Sequence, residues 1–374
     1  MPVMKKNYLV LIVLFVISCS FNRCSSDVQT TIPNDWPSDS IRTVMDGFNY
    51  PWEILWGKDD FIWMTERGGK INKINPKTGD IVFTATIADV VSNGEGGLLG
   101  MVQHPGFLTN GLFYVVYNFN NGSSYREKLV QMKFENNSIQ PVNTLLQDIP
   151  ASSIHNGSRL WISNDASPYL FITTGDASNQ PNAQNISSLS GKVLRLNLDG
   201  SIPTDNPFTG SPVWSIGHRN QQGLVVANGI MYASEHGPNI EDEVNIIEKG
   251  RNYGWPNVNG PCDAAAEISF CTANNVKEPI WSSGSSTIAV SGIDYYNNNR
   301  IPAWQNSLLM CTLKDATLRV LSLSADGRTV VNMQTLYKNV YGRIRDICIS
   351  PAGRVYLCTS NGSNADVLVE ISKP

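Results

Sequence analysis

The sequence predicts an all-β chain folded as a six-bladed β-propeller, and three observations carry that reading. The first is a recurring unit, a short run rich in β-branched and aromatic residues, bounded by Gly, Pro, Asn or Asp and closing on a polar cluster. It occurs as DDFIWMTER (59–67), GLFYVVYN (111–118), PYLFITTGD (168–176), GIMYASEHG (229–237), NSLLMCTLK (306–314) and GRVYLCTSN (353–361). The second is spacing: the 323 residues from Trp52 onward divide into six units of about 54, close to the roughly 50-residue kelch-type blade. The third is where polar residues collect, namely Glu66 and Arg67, Asp176, Glu235 and His236, Lys314, and Asn361, all at equivalent ends of the repeated run. An array of Ig-like sandwiches would show alternation without that clustering. In a radial array equivalent strand ends share one face around the central channel, so a site belongs there.

Along the chain, Lys5 and Lys6 precede an apolar run over residues 8–17, shorter than the roughly 20 residues a spanning helix needs. Residues 1–18 therefore read as an export signal. The run ends in VISC, which resembles a bacterial lipobox and implies acylation of Cys19. Residues 19–50 read as a flexible tether and residues 51–374 as the propeller. An exported chain can carry disulfides, and Cys262 and Cys271, in the Pro/Gly-bounded loop PCDAAAEISFC, are the candidate pair. Cys311, Cys348 and Cys358 sit in apolar runs and read as buried side chains. No CxxC pair occurs, so zinc and iron–sulfur centres lose their main support. A formal net charge of -4 gives no reason to expect nucleic acid as a partner.

Four histidines, His104, His155, His218 and His236, lie in Gly- or Pro-containing turn segments. Histidine has the unperturbed pKa best suited to accept a proton near neutrality. His155 has a downstream carboxylate, Asp176 in TTGDAS, that can fix its tautomer; His104, before a proline, reads as structural. The segment SEHGPNIEDEVN (234–245) combines a Gly-Pro turn with Glu241, Asp242 and Glu243. Those are the hard oxygen donors Ca²⁺ prefers, without EF-hand spacing. Arg343 and Arg345 alternate along GRIRD and so face one side, and Arg219 lies in GHRN. Such guanidinium forks suit a ligand with several carboxylates, although an isolated RxR also serves as a surface ion pair.

Taken together, the strings TERGGKI, GEGGLLGMVQHPGFLTNGLFYVVY, TTGD, LSGKVLRLNLDGSIPTDNPF, GHRNQQGL, SEHGP, DEVNIIEKGRNYGWP and GRIRD resemble the soluble glucose/sorbosone dehydrogenases that use pyrroloquinoline quinone (PQQ), and within them the aldose sugar dehydrogenases. The resemblance spans nearly all of 51–374. It implies that His155 takes the proton of a sugar's anomeric hydroxyl, that Asp176 orients His155, and that a hydride passes from the anomeric carbon to PQQ, giving a lactone. It further implies Arg219 at the developing oxyanion, Glu95 and Asn220 beside the cofactor, Thr287 against it, and Lys314, Arg343 and Arg345 on its carboxylates and second quinone oxygen. Ca²⁺ is implied on the main-chain oxygens of Gly237 and Pro238, with a second, structural Ca²⁺ at Asp242, Glu243 and Tyr253.

Two departures stand out. The histidine motif, His-x-Gly-Gly in the family, reads HNGS here, with Ser158 in the last position, and the segment SSGSS (282–286) lacks the aromatic residues that cover the cofactor in glucose dehydrogenase. A non-catalytic binding propeller would have no reason to keep His155, Asp176, Arg219, Lys314, Arg343 and Arg345 together. A calcium-dependent lactonase on a similar scaffold would not need the cationic cluster. The sequence thus points to an exported sugar dehydrogenase acting on a small-molecule sugar, attached to membrane only through Cys19.

Overall fold

The computed structural model describes residues 1–2, 36–122 and 124–373. The export signal, Cys19 and the first part of the tether lie outside the described residues. Within Ser38–Pro374, six four-stranded antiparallel sheets follow one another. Their first strands are Pro51–Trp56, Leu98–Gln103, Gly157–Ile162, Gln221–Ala227, Val290–Tyr296 and Ile344–Ile349. Each touches the next and the last touches the first, so they close a ring around a central channel. This is the six-bladed propeller the repeat predicts, and all six repeated runs form the second strand of their blades: Ile62–Glu66, Leu112–Asn120, Tyr169–Thr174, Ile230–Glu235, Ser307–Thr312 and Val355–Thr359.

The propeller begins earlier than the expected boundary at residue 51. Residues 41–50 are not tether: Ile41–Phe48 is the outer strand of the sixth blade, antiparallel to Asp366–Ile371, with Ile41 opposite Ile371 and Phe48 opposite Asp366. The two ends of the domain thus share one sheet, and Val44 and Phe48 supply its buried side. Pairing the termini completes the sixth blade and ties the two ends of the domain together.

Apolar wedges fill the spaces between blades. Trp63 of the first blade meets Phe107, Phe113 and Phe134 of the second, with two of those contacts edge-to-face. Tyr296 and Trp304 of the fifth blade pack with Ile344 and Leu357 of the sixth. Each fully buried large side chain contributes on the order of 2 kcal/mol of burial. Inside the channel, Arg159 is satisfied by Glu53 and Asp346, both at 2.9 Å, and lies over the Trp52 ring.

Strand direction decides where chemistry can sit. Because the strands alternate up and down, the turns leaving second strands and the connections entering each new inner strand emerge on the same face. Those two loop classes hold Arg67, Glu95, His155, Asp176, Arg219, Gly237, Thr287, Lys314 and Arg343. The longest of them, between Thr174 and Lys192, carries a short helical turn, Gln180–Gln184. The Lys192 ammonium pins it by donating to the carbonyls of Asn182, Ala183 and Ser190. Cys262 and Cys271 are bonded, tying down the helix Ala265–Asn274, while Cys311, Cys348 and Cys358 are free and buried.

Candidate active site

His155 and Asp176 come from neighbouring loops of the third blade, and the chain folds tightly to join them. His155 has φ 59°, and a Cβ on Gly175 would meet the His155 carbonyl at 2.0 Å, so only glycine fits beneath the histidine. His155 Nδ1 then lies 2.8 Å from Asp176 Oδ1. The carboxylate is fully buried and also accepts the Ser178 amide at 2.8 Å and Trp255 Nε1 at 2.9 Å. Three donors fix its orientation, and it in turn fixes the imidazole with Nδ1 engaged and Nε2 available as a base. The His155 amide donates to Glu95 Oε2 at 3.2 Å, and 15% of the ring's side chain stays open to the face.

Beside this pair is a cluster of guanidinium groups. Arg345 is buried; one terminal nitrogen donates to Gln222 Oε1 at 2.8 Å. Burial, followed by the charge of Arg159, pushes its pKa down to about 9, with Arg67 and Arg343 adding to the repulsion and Glu95 opposing it. Arg219 is bound through its main-chain amide to Glu235 and reaches the His236 carbonyl at 3.3 Å. Its guanidinium carbon sits 5.3 Å from the Trp255 ring centre, and burial lowers its pKa against the pull of Asp176, Glu235, Asp242 and Glu95. Arg67 stacks 4.1 Å over Tyr50, and burial lowers its pKa while Glu95 raises it and Arg343 lowers it. Among the described residues, the buried Nε atoms of Arg67, Arg219 and Arg345 meet no acceptor, and the same holds for Arg195, Arg251 and Arg319 elsewhere in the fold. An unsatisfied buried donor on a charged group is costly, and an anion would satisfy several at once. Arg159, with its full set of partners, is the structural counterexample.

The remaining candidates divide. Asn220 Oδ1 accepts the Gly157 amide at 3.1 Å and Gln222 Nε2 at 3.0 Å, so it braces the histidine corner. Lys314 is exposed and rides beside the Thr287 loop through its amide bond to the Ile288 carbonyl. Thr287 donates its hydroxyl to Asp242 rather than holding it free for a ligand. Asp242 is surrounded by donors from the protein. Its buried carboxylate accepts the amides of Gly237, Ile288 and Ala289 at 2.8, 2.6 and 2.7 Å, which spends its lone pairs on tying two loops together. Tyr253 is likewise occupied: its hydroxyl donates to the Ile246 carbonyl and accepts the Glu248 amide.

Gly237 and Pro238 are placed differently. Among the described residues, no hydrogen bond ends on either carbonyl. They border a void of about 10 Å³ together with Glu235, Glu241, Glu243 and Tyr253, room for one water or ion. Glu243, held by Asn245 and the Gly260 amide, is pushed up to about 8 by burial and by Glu235. Among the described residues no three His, Cys, Asp or Glu side chains converge as a ready metal cage. His218 is structural, bonded to Ser215 and Glu235 and stacked on Tyr253. His104 accepts the Gly106 amide in its turn, and His236 is tied to the Val290 carbonyl.

Sequence reasoning did not select Arg67, Trp255 or Gln222 for the site. Arg67 was legible as one of the strand-end polar residues. Trp255 and Gln222 carried no signal, because their roles are to orient Asp176 and Arg345 across blades.

Fold and site define a six-bladed propeller with a carboxylate-bound histidine beside a group of arginines on one face. Within that class the chain belongs to the glucose/sorbosone dehydrogenase family, whose sequence model matches residues 48–369. It is 31% identical to quinoprotein glucose dehydrogenase B of Acinetobacter calcoaceticus, over 86% of each chain. It is 30% identical to aldose sugar dehydrogenase YliI of Escherichia coli, over 87% of this chain and 91% of that one. Among solved structures, the PQQ-bound aldose sugar dehydrogenase of Streptomyces coelicolor superposes with a TM-score of 0.75 at 30% identity, covering 89% of this chain and 98% of that one.

Proposed function

We propose that the protein oxidises aldose sugars at the anomeric carbon to lactones, with PQQ as hydride acceptor and Ca²⁺ as an assisting ion. The observation that carries this reading is the His155–Asp176 pair opening beside buried guanidinium nitrogens that lack acceptors. A tricarboxylate quinone would supply acceptors of the kind these cations lack, which supports the reading.

His155 Nε2 would accept the anomeric hydroxyl proton, leaving the sugar oxygen to form the lactone carbonyl as the C1 hydrogen departs with its electron pair. Asp176 would hold the resulting imidazolium, worth about 10²–10⁴ in rate for a well-placed base. Bound PQQ would supply the two-electron acceptor that this chain's own side chains lack. Arg343, Arg345 and Lys314 would hold carboxylates, with Arg219 facing the charge that develops at the reacting oxygen. The Gly237 and Pro238 carbonyls would hold Ca²⁺ as a hard-oxygen ligand pair. Asp242 would serve that site by positioning Gly237 rather than by ligation.

The Cys262–Cys271 bond supports an oxidising compartment, and we read the chain as exported and lipid-anchored through Cys19. The test of function is reconstitution: apo protein with PQQ and Ca²⁺ should reduce an artificial acceptor dye in the presence of aldoses. Absence of turnover with PQQ demonstrably bound would reject the assignment of sugar as substrate.

A further inference from the structure

Glu127 is a buried carboxyl that the chemistry above does not use. It lies in the third strand of the second blade, Tyr125–Glu135, and is 1% exposed. Its Oε1 accepts the hydroxyl of Ser158, which is itself fully buried. Ser158 ends a corner in which His155, Gly157 and Ser158 have φ of 59°, 66° and 80°. Glycine adopts such angles freely, whereas serine and histidine are strained there and hold them only where surrounding contacts insist.

Directly opposite Glu127 in the ladder is Asn118, and cross-strand partners project to the same side of a sheet. Asn118 Oδ1 accepts the Gly97 amide at 2.8 Å. One rung therefore grips two loops: Asn118 holds the one carrying Glu95, and Glu127 the one carrying His155. The loops also join above that rung, through the Glu95 amide to the Ser153 carbonyl at 2.7 Å and the His155 amide to Glu95 Oε2 at 3.2 Å. Burial pushes the Glu127 carboxyl up to about 8, and Ser158 is the neighbour that draws it back. Asn156, the remaining corner residue, is held at its side chain by the Ser152 amide and carbonyl, and its own carbonyl lies 3.2 Å from the Ser158 hydroxyl, whose nearer partner is Glu127.

The geometry points to Glu127 as a positioning residue for the base: through the Ser158 hydroxyl it holds the strained corner that aims His155 at Asp176. This rests on the reading of His155 as the base, and it predicts a chain-specific dependence, because a glycine at 158 has no hydroxyl to offer. Glu127 is assigned no contact with sugar or cofactor, so its loss should act chiefly on turnover and largely spare PQQ binding, whose candidate carboxylate contacts Lys314, Arg343 and Arg345 lie on other blades.

The test compares Glu127→Ala, Glu127→Gln and Ser158→Ala with the wild type. Glu127→Ala and Ser158→Ala should lower kcat by about tenfold to a hundredfold, the scale of misplacing a reacting group by an ångström. PQQ affinity should stay within about twofold, and Glu127→Gln, which keeps an acceptor, should recover most of the loss. A wild-type kcat in Ser158→Ala, or a loss in Glu127→Ala that Glu127→Gln does not recover, overturns the inference. An activity-independent arm uses the apo protein. The His155 ring proton signals, assigned among four histidines with His155→Gln, should move in Glu127→Ala and Ser158→Ala and return in Glu127→Gln; unmoved signals overturn the inference. If wild-type holoprotein shows no turnover, the proposed function fails while the ring signals still report on the corner.

Discussion

His155 Nδ1 lies 2.8 Å from Asp176 Oδ1, and that carboxylate is sealed from solvent with two further donors of its own, Ser178 and Trp255. The carboxylate's orientation is therefore set independently of the histidine, which arrives at a prepared partner. His155→Ala should remove the base without collapsing the face. Turnover is expected to fall by about a hundredfold to ten-thousandfold, with PQQ affinity, read by fluorescence titration, changed by less than a few fold. Parallel loss of both in a folded variant contradicts the role.

Arg345 is a buried cation crowded by Arg159, Arg67 and Arg343. Without a bound anion it burdens the fold. Arg345→Met should stabilise the apo protein by about 1–2 kcal/mol, raising its thermal midpoint, while weakening PQQ binding by at least about tenfold. Thermal melts with and without PQQ check both halves, and a lower apo midpoint would contradict the first.

Asp242 ties the Gly237 turn to the Ile288–Ala289 segment. Asp242→Ala strands the amides of Gly237, Ile288 and Ala289, at about 1–3 kcal/mol for each buried donor left alone. Thermal unfolding should show a loss of several kcal/mol, with Ca²⁺-dependent activity reduced as well. A variant as stable as wild type that has lost only its Ca²⁺ response would restore Asp242 as a ligand.

Glu127 gives stability a pH dependence of known sign. Its folded pKa, about 8, is raised above the ordinary 4.5. Between those values the folded state keeps a proton that the unfolded state has released, so stability falls as pH rises through that window, by up to about 1.4 kcal/mol per pH unit. Denaturation of Glu127→Gln across pH 5–9 should lack this contribution, so its stability relative to wild type should improve steadily with pH. A constant difference would refute the raised pKa.

The repeated run was readable because every second strand is packed on both sides and ends at the same face, which writes one apolar run and one polar cluster into each unit. The closing strand Ile41–Phe48 was not, because its partner lies at the other end of the chain and two bulges break its alternation. His155 and Asp176 were legible as residue types, and their contact rests on a loop geometry that Gly175 permits. Adjacent acids such as Glu241, Asp242 and Glu243 look alike in sequence. Only the fold separates Asp242, saturated by loop amides, from Glu243 at the edge of the ion-sized void. Arg67 reads as a surface charge until Tyr50 and Arg343 are brought beside it.

The most direct test is dye reduction by the purified apo domain with a panel of aldoses, after adding PQQ and Ca²⁺ together and each alone. Turnover that requires both is the expected result. Turnover without PQQ, or none with both present and PQQ bound, would contradict quinone-dependent sugar oxidation as this protein's activity.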